Sequence, residues 1–71
     1  MPTQPEVVFG ETLKRERRSL GLPARAVAEA MGLSRSRVVA IEALGRVRRA
    51  TASRYMRALR ALAQIAEGLA P

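Results

Sequence analysis

The sequence predicts an all-α protein, a compact bundle of four to five helices. No segment alternates polar and apolar residues with a period of two, so nothing reads as a strand. Apolar residues instead recur at helical steps of three and four. Glycine and proline at Gly21, Pro23, Gly32 and Gly45 cut that pattern into separate short stretches.

The first helix is predicted from near Val7 to Gly21. Phe9, Leu13 and Leu20 share one face, while Lys14, Arg15 and Arg18 point outward. Glu11 in the first turn and the cations from Lys14 to Arg18 both match the helix dipole. Gly21 reads as the stop, with Pro23 just beyond it. Residues 1–6 are polar and lack a cationic start, which predicts a flexible arm and not a secretory leader.

Pro23 suits the first position of a second helix, where its missing N–H is not needed. Val27, Ala28 and Met31 form its apolar stripe, and Gly32 ends it after about eight residues. Ser34 then serves as N-cap of a third helix. Val38 and Ile41 are its buried edge, Leu33 packs just before the cap, and Gly45 breaks it after Glu42 to Leu44.

A cationic loop follows, with Arg46, Arg48 and Arg49. Thr51 reads as the cap of a fourth helix reaching about Glu67, in a stretch whose many alanines favour helix. Tyr55, Leu59, Leu62 and Ala66 make one stripe. Met56, Ala63, Ile65 and Leu69 widen it beyond what one small core uses. The organisation is therefore a single domain over residues 7–67, flanked by the arm at 1–6 and a tail at 68–71.

Charge is unevenly placed. Thirteen cations, twelve of them Arg, oppose six Glu for a net +7. Residues 1–34 hold five cations and four Glu, whereas residues 35–60 hold eight Arg and only Glu42. A basic half of this kind attracts nucleic acid, anionic membrane or acidic protein, and Arg suits bidentate contact with phosphate or guanine. The absence of Cys, His and Asp leaves no disulfide, no ordinary transition-metal site and no conventional base or nucleophile. The expectation is a protein that is not an enzyme and takes no cofactor or metal. No apolar run approaches the ~18 residues of a membrane span. A cytoplasmic, nucleoid-associated location follows from these expectations. A chain this short is marginal alone, and oligomerisation is the remedy left.

Two short helices joined at Gly32 must lean on each other and on their neighbours. Small Ala28 lets them cross closely, Gly32 supplies positive φ, and Val38 and Ile41 pack the second one inward. This is the spacing of a helix-turn-helix, whose second helix enters the DNA major groove with its N-terminal residues leading. Arg35 and Arg37 stand on those leading residues, where a cation opposes the helix dipole and therefore calls for another explanation. Arg35 is the candidate for bidentate contact with guanine, and Val39 and Ala40 for contact with a thymine methyl.

Residues 9–62, roughly three quarters of the chain, resemble the phage-repressor/Cro-type (XRE) helix-turn-helix domain, the fold of lambda repressor. The resemblance rests on Leu13 and Arg17, Leu20-Gly21-Leu22, Ala28, Met31-Gly32-Leu33-Ser34, Val38 and Ile41-Glu42, in that order. It implies a salt bridge between Arg17 and Glu42 tying the first helix to the end of the third. It implies that Ser34, Arg35, Ser36 and Ala40 touch phosphate or base edges, and that Arg46, Arg48 and Arg49 clamp backbone phosphates. With Arg37 reaching backbone, the base contacts fall to Arg35, Ser36, Val39 and Ala40. Where relatives carry Ser or Thr followed by Gln, this chain has Pro23 and Ala24, so Arg25 takes over that phosphate contact. Ala43-Leu44 replaces the commoner Asn-Gly, and no break near residue 60 separates a fifth helix, so the fourth and fifth helices are expected to fuse.

The apolar surplus at Leu62, Ile65, Ala66 and Leu69 is expected to form a two-fold dimer interface. The function expected is a homodimeric, sequence-specific binder of double-stranded DNA that regulates transcription, as a repressor on a palindromic operator. The nearest rival is an antitoxin that binds its toxin and represses its own operon. A polymerase contact is the other protein partner considered, and no membrane partner is expected. A module that binds only an acidic protein or a membrane is the reading without DNA, and the low aromatic content speaks against the membrane.

Overall fold

A computed structural model describes the backbone of residues 8–69 and the side chains of residues 8–66. The arm expected at residues 1–6 lies outside the described residues, as do Ala70 and Pro71. Four helices pack into an all-α bundle: α1 Gly10–Ser19, α2 Ala24–Met31, α3 Arg35–Ala43 and α4 Arg49–Leu69. No strand occurs among the described residues. A single antiparallel bridge joins Val8 to Val47, with the Val47 N–H donating to the Val8 carbonyl at 2.7 Å.

Helices α1 and α2 end in the same way. Gly21 and Gly32 adopt positive φ of 69° and 70°. The following amides turn back, Leu22 N–H to the Arg17 carbonyl at 3.2 Å and Leu33 N–H to the Ala28 carbonyl at 2.9 Å. Carbonyls that have no partner further along the helix are satisfied by this device. At the start of α3, Ser34 Oγ accepts the Arg37 backbone N–H at 3.1 Å, as its place before the apolar edge predicts.

The core comprises Leu13, Val27, Ala28, Val38, Ile41, Val47, Ala52, Tyr55, Ala58 and Leu59. Val38 is wholly buried and Ile41 nearly so. Each such side chain contributes about 1.5–3 kcal/mol of burial. That is what a nine-residue helix, marginal alone, gains from the rest of the bundle.

α1 meets α3 end to end. The Gly10 N–H donates to the Leu44 carbonyl at 3.0 Å. A Cβ at residue 10 would lie 2.5 Å from the Ile41 carbonyl oxygen and 2.6 Å from those of Glu42 and Leu44. Only a residue without a side chain lets the donor-rich start of α1 close on the carbonyl-rich end of α3.

Several sequence expectations shift. α1 begins at Gly10 and not near Val7, because Phe9 has extended backbone. Phe9 and Leu20 are 55% and 47% exposed, so only Leu13 of the expected trio enters the core. Pro23 precedes α2 as its N-cap. α4 starts at Arg49, two residues before the expected Thr51 cap, since the Arg48 carbonyl already accepts the Ala52 N–H at 2.9 Å. The same helix passes through Gly68 to Leu69, so the fourth and fifth helices are one element of 21 residues that runs past the expected end at Glu67.

Candidate nucleic-acid interface

The inner face of α3 is fixed before its outer face has a role. Val38, Ile41 and Glu42 are buried. With 3.6 residues per turn, Ser36, Val39, Ala40 and Ala43 then occupy the opposite crest, and Arg35 and Arg37 its two flanks. Ser34, Arg35, Ser36, Arg37, Val39 and Ala40 are all exposed. Neither Arg35 nor Arg37 has an ion-pair partner among the described residues. The Ser34 hydroxyl accepts the capping amide and still has its own proton to donate.

Glu42 anchors the inner face through three elements. Arg17 binds it side-on, Nε donating to Oε2 at 2.7 Å and Nη2 to Oε1 at 3.1 Å. The remaining Arg17 nitrogen, Nη1, donates to the Leu22 carbonyl at 2.8 Å and so holds the α1–α2 turn. The Tyr55 hydroxyl of α4 donates to the same Oε2. Burial alone would raise the Glu42 pKa. The hydrogen bonds from Arg17 and Tyr55 and the guanidinium charge outweigh it and hold the carboxyl below its ordinary value. Burial and the bond to Glu42 push the Tyr55 phenol well above its ordinary value. Arg17 is raised as well, chiefly by its hydrogen bond to Glu42.

The expected Arg17–Glu42 pair is therefore present, and Tyr55 completes it. Tyr55 reads from sequence only as a core or interface aromatic. Its hydroxyl partner is set by the crossing of α4 over α3, which no local pattern encodes.

Beside α3 lies an open groove lined by Lys14 of α1, Pro23, Ala24 and Arg25 at the start of α2, and Arg35 and Val39 of α3. Arg17 and Glu42 also line it, already paired with each other. Three unpaired cations thus converge from three helices. Lys14 joins Arg25 and Arg35 there, a placement that sequence reasoning left as plain solvent exposure. The available signal was its position one turn before Arg17.

The other expected contacts are not gathered in this groove. Arg46 and Arg48 are exposed in the loop between α3 and α4. Arg49 lines a different groove, between α1 and α4, with Val8, Leu13 and Met56. Of the expected dimer residues, Leu62 packs partly against the core, whereas Ile65 is 59% exposed and Ala66 is exposed. The side chain of Leu69 lies outside the described residues.

No protein-family model, curated protein or solved structure matches the chain. No helix among the described residues is long and apolar enough to cross a membrane.

Proposed function

We propose that the chain is a homodimeric, sequence-specific binder of double-stranded DNA that represses transcription by occupying its operator. The observation that carries the reading is the two-sidedness of α3. Val38, Ile41 and Glu42 are held inside, while Arg35, Ser36, Val39 and Ala40 stand outside with unpaired charge at the leading end. This is the arrangement a helix needs to enter a major groove.

In this reading the crest of α3 and the flank that carries Arg35 meet base edges. Arg35 reaches guanine O6 and N7, Ser36 donates or accepts at a neighbouring edge, and Val39 and Ala40 meet thymine methyls. Lys14, Arg25, Ser34 and Arg37 hold flanking phosphates, with Arg46, Arg48 and Arg49 reaching further along the backbone. Phosphate contacts supply most of the affinity and make it fall steeply with salt. The exposed Ile65 and Ala66 of α4 join two copies about a two-fold axis, so that two α3 helices meet successive major grooves.

Ile65 also supports a second reading, the antitoxin, in which the same end of α4 holds a toxin in place of a second copy. The two part on stoichiometry. The repressor is a dimer when purified alone, and the antitoxin pairs with the product of an adjacent gene.

The test is selection of bound fragments from a random duplex pool. The reading expects a palindrome whose half-sites lie about 34–36 Å apart along one face of the DNA. Recovery of unrelated sequences with equal affinity overturns it.

A further inference from the structure

We propose that the groove between α1 and α4 is a docking site for an acidic amphipathic helix of another protein. Half-buried Val8 and Met56 form the groove's accessible apolar floor, and the buried Leu13 and Ala52 also line it. Its rim carries Arg49, Arg57 and Arg60 of α4, all exposed, against Glu16 alone of α1. None of these three arginines has an ion-pair partner among the described residues.

The site stands apart from the candidate DNA groove. The α1 residues lining it are Thr12, Leu13 and Glu16, and those lining the DNA groove are Lys14 and Arg17. At 100° per residue, Thr12 and Glu16 lie on the side of α1 opposite Lys14. Apart from Arg49, which the DNA reading also sets against phosphate, the lining of this groove takes no part in that reading, and the proposal does not rest on DNA binding.

The chemistry of the groove selects its occupant. An apolar floor between cationic walls is complementary to a helix that carries an apolar stripe flanked by carboxylates. A nucleic acid would satisfy the arginines but gain nothing from covering the floor. A second copy is a poor fit, because it carries +7 overall. Among the described residues its exposed acids are only Glu11, Glu16 and Glu29.

The experiment titrates the full chain with a synthetic helical peptide of about four turns, with Leu on one face and Glu on its flanks, and follows backbone amides by NMR. The expected result is saturable shifts at Thr12, Glu16, Ser53, Met56 and Arg57, with Arg25 and Arg35 unmoved. The double variant Arg57→Glu with Arg60→Glu places like charges opposite the peptide and should weaken it about tenfold or more. Glu16→Gln, which removes the one acid on the rim, should tighten it. Both changes are at exposed positions outside the groove beside α3, and neither should change which duplex sequence is preferred. Equal binding of a scrambled peptide of the same composition would overturn the proposal. So would shifts centred on Arg35, no peptide binding at all, or movement of the groove amides by a short duplex in place of the peptide.

Discussion

Arg17 and Glu42, 25 residues apart in the chain, meet with two hydrogen bonds, at 2.7 and 3.1 Å. The same carboxylate receives the Tyr55 hydroxyl. One acid thereby links α1, α3 and α4, and Arg17 extends the link to the α1–α2 turn through the Leu22 carbonyl. The exposed face of α3 is aimed by what its buried face is tied to.

Removing Glu42 strands a largely buried guanidinium and a buried hydroxyl together. Glu42→Ala should cost about 3–5 kcal/mol, a large part of the stability of so small a domain. Tyr55→Phe removes one hydrogen bond to a charged group and should cost about 1.5–3 kcal/mol. Urea denaturation followed by circular dichroism measures both. Near-equal stability of Glu42→Ala and wild type would show that the three-way tie holds nothing together.

The tie also sets the pH response at both ends. Glu42 has a depressed folded pKa, so its contribution is complete above the ordinary value of 4.5 and is lost as pH falls below it through the folded pKa. Tyr55 has a raised folded pKa, so its contribution is complete below 10.0 and is lost as pH climbs above that value. Tyr55 is the lone tyrosine, which makes phenolate absorbance a specific reporter. The folded protein should show no phenolate appearing near pH 10.0, and the denatured protein should show it there.

Gly10 offers a test with an unusual sign. Ala normally improves a helix over Gly by up to about 1 kcal/mol. Here a methyl group would press into three backbone carbonyls at 2.5–2.6 Å. Gly10→Ala should therefore destabilise by about 1–3 kcal/mol or more, the range for overpacking. Thermal denaturation separates the two expectations by direction alone.

Ile65 tests the association of two copies. At 59% exposure it contributes little to the fold of one subunit, so Ile65→Glu should leave helicity intact. Sedimentation should show a dimer become a monomer. Affinity for a two-half-site duplex should then drop on the order of 10²-fold through loss of bivalency. An unchanged mass would place the contact elsewhere.

Much of the fold is legible because its signals are local. Gly32 announces the left-handed turn, Ser34 the cap, and Val38 and Ile41 the buried edge of α3. The Arg17–Glu42 pair is legible through family resemblance and through Glu42 standing alone among eight arginines in residues 35–60. The parts that escape depend on how distant segments cross. Gly10 looks like an ordinary helix start until the end of α3 arrives against it. Val47 hides in a cationic loop and becomes core only because its amide bridges to Val8. Its one hint is a single apolar residue between Arg46 and Arg48. Phe9 and Leu20 follow the periodicity of α1, yet they are its two cap residues, outside the helix itself, and stay about half exposed.

The most direct test of the account repeats the selection from random duplexes with Arg35→Ala. If α3 reads sequence from its leading end, preference should relax at one base pair in each half-site, by about 1–3 kcal/mol of discrimination, with the rest of the motif intact. Uniform weakening on every sequence, or an unchanged motif, would contradict it.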